Sequence, residues 1–329
     1  MTTTQAIRIH RTGGPDQLVV ETIPLAEPGP GEVRLRQHAV GLNFIDTYHR
    51  SGLYPLPALP AVLGREAAGT VEALGEGVDG LAVGDRVAYA LEAGAYCGRR
   101  NIAAERLVAL PETVSFETAA AVMLKGLTAH YLVRRTHRVA AGETILVHAA
   151  AGGVGLLLCQ WAAHLGATVI GTVGSPEKAA LAAAHGCHHA VIYTRENFVE
   201  RVHEITGGEG VPVVYDSVGR DTFEPSLDCL RPLGLMVSFG QSSGAIPPIH
   251  LGILAGKGSL YVTRPTLATH IAGRRALEEA AADLLDLVGR GVLRVETGQR
   301  YPLAEAARAH RDLEGRKTLG SSILLPWTG

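Results

Sequence analysis

A doubly wound parallel α/β sheet beside a second, mostly β domain is the fold class that this sequence predicts, and three observations predict it. Short β-branched runs alternate with helical stretches from residue 144 to residue 264, the pattern of a parallel sheet with crossover helices. One crossover carries a glycine turn, Ala149-Ala150-Ala151-Gly152-Gly153-Val154-Gly155, set between a strand and a helix. Upstream of Pro111, short β-prone runs are punctuated by Gly and Pro.

Bulk properties narrow the field. The chain has 329 residues, of which 47% are hydrophobic and 19% charged, enough for roughly two domains with sizeable cores. Its formal net charge is −2, from 30 basic and 32 acidic residues. Arg99-Arg100, Arg134-Arg135 and Arg274-Arg275 are scattered pairs rather than a stripe. Neither feature points to nucleic acid or an anionic membrane as a partner. Cys97, Cys159, Cys187 and Cys229 lie far apart without a C-x-x-C pair, so buried free thiols in a reducing cytoplasm are expected. The opening MTTTQAIRIH lacks the basic-then-apolar pattern of a signal peptide, and the expected location is cytoplasmic.

Taken in order, residues 6–10 and 18–22 are predicted strands with Gly13-Gly14-Pro15 between them, and Pro28-Gly29-Pro30-Gly31 is a turn. Val33, Leu35 and Gln37 alternate with Arg34, Arg36 and His38 as a strand with one buried face. Glycines at 64, 69, 75, 77, 80 and 84 suggest short strands around a small barrel. Ser115 is the expected N-cap of a helix starting at Phe116, with Glu117 in its first turn, running toward Lys125-Gly126-Leu127-Thr128. Six strands are then expected at 144–149, 167–173, 189–193, 212–216, 234–239 and 259–264, with helices such as 177–185 and 196–206 between them. Helical segments at 274–289 and 303–313 and a β-prone run at 322–325 close the chain.

Residues 144–176 contain no Asp, Glu, Lys or Arg, which a hydropathy window reads as a membrane span. The double glycine, His148, Gln160 and His164 interrupt any uniform lipid-facing helix, and a parallel strand buried on both faces is equally apolar. No membrane segment is expected. Strand, glycine turn, helix and second strand together form the Rossmann unit that holds a dinucleotide pyrophosphate at a helix N-terminus. Ala150 stands where the strict fingerprint has its first glycine, so context rather than glycine spacing carries the assignment.

Longer runs extend the match. Gly69-x-Val71, Gly75-x-x-Val78 and Gly84-Asp85-Arg86-Val87, with residues 149–155, resemble the medium-chain dehydrogenase/reductases. Asn43-Phe44-Ile45-Asp46-Thr47-Tyr48, Arg50-Ser51-Gly52-Leu53-Tyr54-Pro55, Lys125-Gly126-Leu127-Thr128, Asp216-Ser217-Val218-Gly219 and the tail 316–326 resemble their NADPH:quinone oxidoreductase branch, the zeta-crystallin relatives. So do residues 238–244 and 261–265. The resemblance covers essentially the whole chain. It implies a GroES-like, β-barrel-type catalytic domain from residues 1–124 and 266–329, a Rossmann NADPH-binding domain at 125–265, and a homodimer. Among cofactor contacts it implies Phe44, Asp46, Tyr131, Gly152, Gly153 and Val154, then Ser217 and Phe239, with Tyr193 under the adenine-ribose end and Arg316 as a late contact.

Zinc-dependent members of the superfamily take ligands from a Cys near the Asn43 position and from the His of a G-H-E-x-x-G motif. This chain has Asn43-Phe44 and Gly64-Arg65-Glu66-Ala67-Ala68-Gly69 there. A guanidinium has no free lone pair for a metal. Their structural zinc lobe needs four closely spaced cysteines, and only Cys97 falls in that region. His188-His189 sit on a predicted strand, where adjacent residues face opposite ways. No metal is expected.

An NAD site ends its second strand with a carboxylate on the ribose 2′-hydroxyl. Here the strand ends Val173-Gly174-Ser175, and Ser175-Pro176-Glu177-Lys178 opens a helix with Ser175 as N-cap and Pro176 at its first position. Free N–H groups, a hydroxyl and the Lys178 ammonium converge where a 2′-phosphate sits, which selects NADPH; the plainer reading is a well-capped helix start. Glu177 is expected to point outward.

Without a metal, hydrogen-bond donors must polarise the hydride acceptor. A quinone suits such a site, because its carbonyls are already electrophilic and its reduced ring is aromatic. Tyr48 is the expected donor to the substrate oxygen, Asn43 and Tyr54 shape the slot, and Thr128 lies near the nicotinamide. Each tyrosine could instead be a half-buried amphipathic residue, and Asp46 an Asx-type turn former. Gly240, Gln241, Ser242, Ser243 and Arg264 line the ribose and nicotinamide side at the carboxyl ends of the strands. The expected function is therefore NADPH-dependent quinone reduction. Alternatives are reduction of an enone or alkenal C=C bond, or a non-catalytic NADPH- or RNA-binding crystallin-like role. Residues 258–263 could form an edge strand that pairs with its copy.

Overall fold

The strand Glu32–Leu42 is the spine of a seven-stranded sheet. It pairs antiparallel with Glu66–Leu74 and with Ser321–Leu325, and Arg99–Ala103 also pairs along its first half. Val33, Leu35 and Gln37 are buried and Arg36 is exposed, as the alternation predicts. Arg34 departs from it: its stem is buried, and its guanidinium reaches the Ala26 carbonyl oxygen at 2.7 Å and Glu27 at 3.3 Å. The computed structural model describes residues 2–327. The chain divides into two units, Met1–Lys125 with Gly273–Gly289 and Val295–Gly329, and Gly126–Ala272 with Arg290–Arg294.

The glycine-rich stretch is not a series of short strands. Glu66–Leu74 runs unbroken through Gly69, where a Cβ would stand 2.0 Å from the Arg36 carbonyl oxygen. The glycine permits a close backbone approach and does not end a strand. Register shifts fall between Arg34 and Leu35 and between Gln37 and Ala39 of the partner strand. Helix α1, Phe44–Ser51, follows the spine strand directly. Helix α2, Phe116–Tyr131, begins where Ser115 caps it, its hydroxyl accepting from the Thr118 N–H at 3.1 Å. The division between the two units falls inside α2.

The second unit holds six parallel strands in the order His189–Ile192, Thr168–Val173, Thr144–Val147, Val211–Asp216, Leu230–Ser238 and Tyr261–Thr263. The first three count backward along the chain and the last three forward, the doubly wound arrangement. Helix α3, Gly153–His164, and helix α4, Pro176–Ala183, are successive crossovers. The first strand stops at Val147, short of the expected 149, because Ala149 turns the chain with φ 52°. The last strand is three residues long, since Ser259 before it has φ 56°. The apolar residues of α3, among them Leu157, Leu158 and Trp161, are core. Among the described residues no helix is long and apolar enough to cross a membrane.

Gly69→Ala should lower the urea midpoint, with a loss of about 1–3 kcal/mol from overpacking against the Arg36 backbone. Urea unfolding of the two proteins side by side checks this.

Candidate active site

The residues around α1 are organised by one buried carboxylate. Glu66 is fully buried and accepts from three directions: the Asn43 side-chain amide at 2.7 Å, the Lys125 ammonium at 2.9 Å and the Leu124 N–H at 2.6 Å. Lys125 is itself buried. A buried ion pair persists only when both charges find further partners, and here both carboxylate oxygens are engaged. The amide of Asn43, expected to help shape a substrate slot, is thus turned toward Glu66.

Asn43 is the N-cap of α1 and forms a capping box with Asp46. Asp46, at the third helical position, accepts the Asn43 N–H at 2.9 Å and the Tyr96 hydroxyl at 3.0 Å on one oxygen. It is 1% exposed, and burial pushes its carboxyl up to about 7. Asp46 therefore faces the interior of its unit and serves as a turn former, one of the two roles open to it from sequence. Beyond it, the Tyr96 hydroxyl meets His310 Nε2 at 3.0 Å, Arg50 Nη1 donates to His310 Nδ1 at 2.9 Å, and Arg50 grips Glu314 at 2.6 and 3.0 Å. Burial, then the Arg50 charge, pushes His310 down to about 3. Tyr96, His310 and Glu314 carry no local pattern that marks them for this network.

The outward part of α1 carries an aromatic row. Phe44, Tyr48 and Tyr54 are half-buried; Phe44 and Tyr48 lie 6.4 Å apart, and Tyr48 and Tyr54 meet edge-on at 5.2 Å. The Tyr54 N–H donates to the Tyr48 carbonyl oxygen at 3.0 Å, which fixes their spacing. His49 meets Tyr54 edge-on at 5.8 Å and accepts from Arg65 at 2.8 Å. Neither His49 nor this arginine contact was anticipated.

In the second unit the glycine turn opens α3. Gly152 is its N-cap and Gly153 its first residue, followed by Val154. A Cβ on Gly155 would stand 2.2 Å from the Ala149 carbonyl oxygen, so only glycine lets the helix start against the turn. At the neighbouring strand end, Ser175 accepts the Lys178 N–H at 3.3 Å as the N-cap of α4. Gly174 adjoins Tyr193, where a Cβ would meet its hydroxyl at 2.8 Å. Gly174, Ser175, Lys178 and Tyr193 thus form one corner, with Tyr193 exposed. Glu177 is exposed, as expected, and its proximity to the Ser175 hydroxyl holds its carboxyl below the usual range.

The third group gathers at the ends of two later strands. Asp216 accepts from the N–H groups of Val218 and Gly219 and from the Thr222 hydroxyl. The Ser242 N–H donates to the Ser217 carbonyl oxygen and the Ser243 N–H to that of Val218. The Phe239 N–H donates to the Asp216 carbonyl oxygen. A Cβ on Gly240 would stand 2.7 Å from the Ser217 carbonyl oxygen, and Gln241 packs against Gly219. Arg264 fastens the group through the Ser238 hydroxyl and the Ser238 and Gly240 carbonyl oxygens. Thr128 and Tyr131 are buried, and the Tyr131 ring stacks on His270 at 4.4 Å. Arg316 belongs to the first unit, exposed with φ 57°. Among the described residues no cluster of three His, Cys, Asp or Glu could hold a metal, and the four cysteines are free and buried. A helix N-terminus cleared by glycines, with a serine-capped helix and a lysine in its first turn at the next strand end, can hold a phosphorylated dinucleotide.

Comparison with known proteins agrees with this geometry. Residues 29–144 match the alcohol dehydrogenase GroES-like domain and residues 153–287 the zinc-binding dehydrogenase family. The chain is 57% identical to a quinone oxidoreductase of Pseudomonas aeruginosa over 97% of its length and 99% of that protein. It is 48% identical to a 2-haloacrylate reductase of Burkholderia sp, over 97% of this chain and 98% of the other. The crystal structure of Escherichia coli quinone oxidoreductase complexed with NADPH superposes with a TM-score of 0.96 at 53% identity, covering 98% of this chain and all of that one.

Asp46 makes a pH prediction. Its native-state value, about 7, lies above its ordinary value of 3.8, so between those limits the folded protein holds a proton that the unfolded chain releases. The stabilisation is fully present below the unfolded value and is lost as pH rises through about 7. Asp46→Asn should flatten this fall, as thermal unfolding at pH 5 and pH 8 will record.

Proposed function

The chain belongs to the quinone oxidoreductase family, a zinc-independent branch of the medium-chain dehydrogenase/reductases, and from that membership we infer that it is an NADPH-dependent quinone reductase. Bound NADPH supplies a hydride; with one proton from solvent, the quinone leaves as the hydroquinone. The observation that carries the cofactor half of this reading is the Gly174, Ser175, Lys178 and Tyr193 corner, where Ser175 caps the N-terminus of α4 and Lys178 stands in its first turn, a setting that suits a 2′-phosphate. In this reading Gly152, Gly153 and Val154 hold the pyrophosphate. Ser217, Phe239, Gly240, Gln241, Ser242, Ser243 and Arg264 hold the ribose and nicotinamide side, with Thr128 and Tyr131 beneath, and Arg316 is a late contact. The catalytic domain of this reading, expected at 1–124 and 266–329, corresponds to the first unit, and the cofactor-binding domain, expected at 125–265, to the second, which also takes in 266–272 and 290–294.

On the substrate side, the half-buried pair Tyr48 and Tyr54 supports a flat aromatic acceptor, with Phe44, the expected cofactor contact, beside Tyr48. Tyr48 is the donor to the substrate oxygen, and Tyr54 shapes the slot. Asn43 acts from behind it, by fixing the start of α1 through Glu66. No metal ligand is offered there, because Arg65 cannot bind one and Asn43 is engaged. The relative that reduces 2-haloacrylates favours a second reading, reduction of a conjugated C=C bond in the same slot. The exposed Tyr261 and Val262 on the edge strand Tyr261–Thr263 support a homodimer through paired edges. The buried free thiols suit the cytoplasm.

An NADPH-oxidation assay comparing 1,4-benzoquinone and 1,2-naphthoquinone with a small alkenal tests the function directly. Higher kcat/KM for the quinones is expected, and a preference for the alkenal would move the assignment to the second reading. Lys178→Ala should raise the KM for NADPH by the loss of about 1–3 kcal/mol, one charged hydrogen bond, while leaving NADH kinetics nearly unchanged. Tyr48→Phe should lower kcat with quinone and spare NADPH affinity, measured by calorimetric titration.

A further inference from the structure

Arg65 stands directly before the strand Glu66–Leu74, and its guanidinium is held only by neutral groups. Nη1 donates to the Leu91 carbonyl oxygen at 2.9 Å, and Nη2 to His49 Nε2 at 2.8 Å. That imidazole accepts only while uncharged, and burial, then the Arg65 charge, holds its pKa below the ordinary histidine value. Arg34, Arg50, Arg99 and Arg106 of the same unit each pair with a carboxylate, whereas Arg86 and Arg100 are, like Arg65, held by neutral groups. Among the described residues Arg65 pairs with none. The acid next to it in sequence, Glu66, is buried and spent on Asn43, Lys125 and the Leu124 N–H.

Two further features single out this cation. The residue whose carbonyl holds it, Leu91, has φ 72°, a conformation that a branched, bulky side chain adopts only when its surroundings impose it. His49 also lies against Tyr54, which in turn meets Tyr48, so the guanidinium is one imidazole away from the aromatic row. Two of its five N–H donors are used within the protein. A half-buried, oriented guanidinium with spare donors and no counter-charge matches a planar or tetrahedral oxyanion.

We propose that Arg65 recognises an anionic substituent, a carboxylate or sulfonate, on the quinone or conjugated substrate, and gives the enzyme a preference for anionic members of that class. This rests on the assignment of Tyr48 and Tyr54 to the substrate slot. Leu91 and His49 are positioning residues that aim the guanidinium.

The test compares kcat/KM for 1,2-naphthoquinone with that for 1,2-naphthoquinone-4-sulfonate, a pair differing in one anionic group. Arg65→Gln should lower the sulfonate-to-neutral ratio at least tenfold, chiefly through the KM of the sulfonate, with Arg65→Lys intermediate. An unchanged ratio, or equal losses for both quinones, overturns the proposal. The wild-type enzyme gives a reading that needs no variant: the KM of the sulfonate should rise with ionic strength more steeply than that of the neutral quinone, and parallel salt dependences overturn the proposal. If wild-type enzyme reduces neither quinone, the quinone assignment fails by itself. Arg65 is then read by calorimetry with redox-inert naphthalene-1-sulfonate, for which tenfold weaker binding to Arg65→Gln is expected and equal binding overturns the proposal.

Discussion

The carboxylate of Glu66 is the contact on which the first unit's site depends. It draws together three parts of the chain: the start of α1 through Asn43, the middle of α2 through Lys125 and Leu124, and its own strand. The spine strand is shaped around it too, since a Cβ on Gly41 would stand 2.2 Å from Glu66 Oε1. A lone buried carboxylate would be strongly unfavourable, and so would a lone buried ammonium. Each is tolerable because the other is present and the remaining lone pairs are engaged. Asn43 and Lys125, from two motifs far apart in the chain, are therefore parts of one structural unit.

Consequences run outward from that pairing. Asp46 ties back to Asn43 from the other side, accepting its backbone N–H at the start of α1 as one half of a capping box. Its carboxylate in turn needs the Tyr96 hydroxyl. From there the direction of every proton is determined. Arg50 can only donate, so His310 Nδ1 accepts and Nε2 carries the hydrogen. The Tyr96 oxygen then accepts from His310 and passes its own hydrogen to Asp46. Glu314 closes the chain at the far side of Arg50. One face of α1 is thereby locked to the interior by polar contacts, and the row Phe44, Tyr48 and Tyr54 is left for the other.

What could be read from the sequence was what depends on near neighbours. The alternation of strand and helix, the Ser115 and Ser175 caps and the helix Arg274–Gly289 follow from local pattern and capping chemistry. The glycine run was misread because glycine has two uses. Gly69 serves a close approach to Arg36, and nothing within a few residues of it separates that use from a strand break. Asp46 carried the same ambiguity, since Asn43-x-x-Asp46 suits both a cap and an outward carboxylate, and only Tyr96, fifty residues on in sequence, decides between them. Longer links such as Arg50 to Glu314 leave no trace in the local pattern. The aromatic row was legible because its members lie on one helix and the turn after it.

Arg65 and Glu66 show how one substitution of side-chain chemistry redirects a site. Where the metal-dependent relatives place a histidine, this chain has a guanidinium, which keeps a positive charge beside His49 and Tyr54 but has no lone pair to share with a metal. The neighbouring carboxylate does not neutralise it, because Glu66 is committed to Lys125. Left with a carbonyl and an uncharged imidazole, Arg65 remains a directional cation rather than half of an ion pair. Such a group orients an oxyanion by its fixed donors. It polarises a carbonyl less strongly than a divalent metal does, so it suits acceptors that are electrophilic before they bind. Quinones are acceptors of that kind, so the proposed reaction and the proposed role of Arg65 ask for the same substrate chemistry beside the contact chain Arg65, His49, Tyr54 and Tyr48.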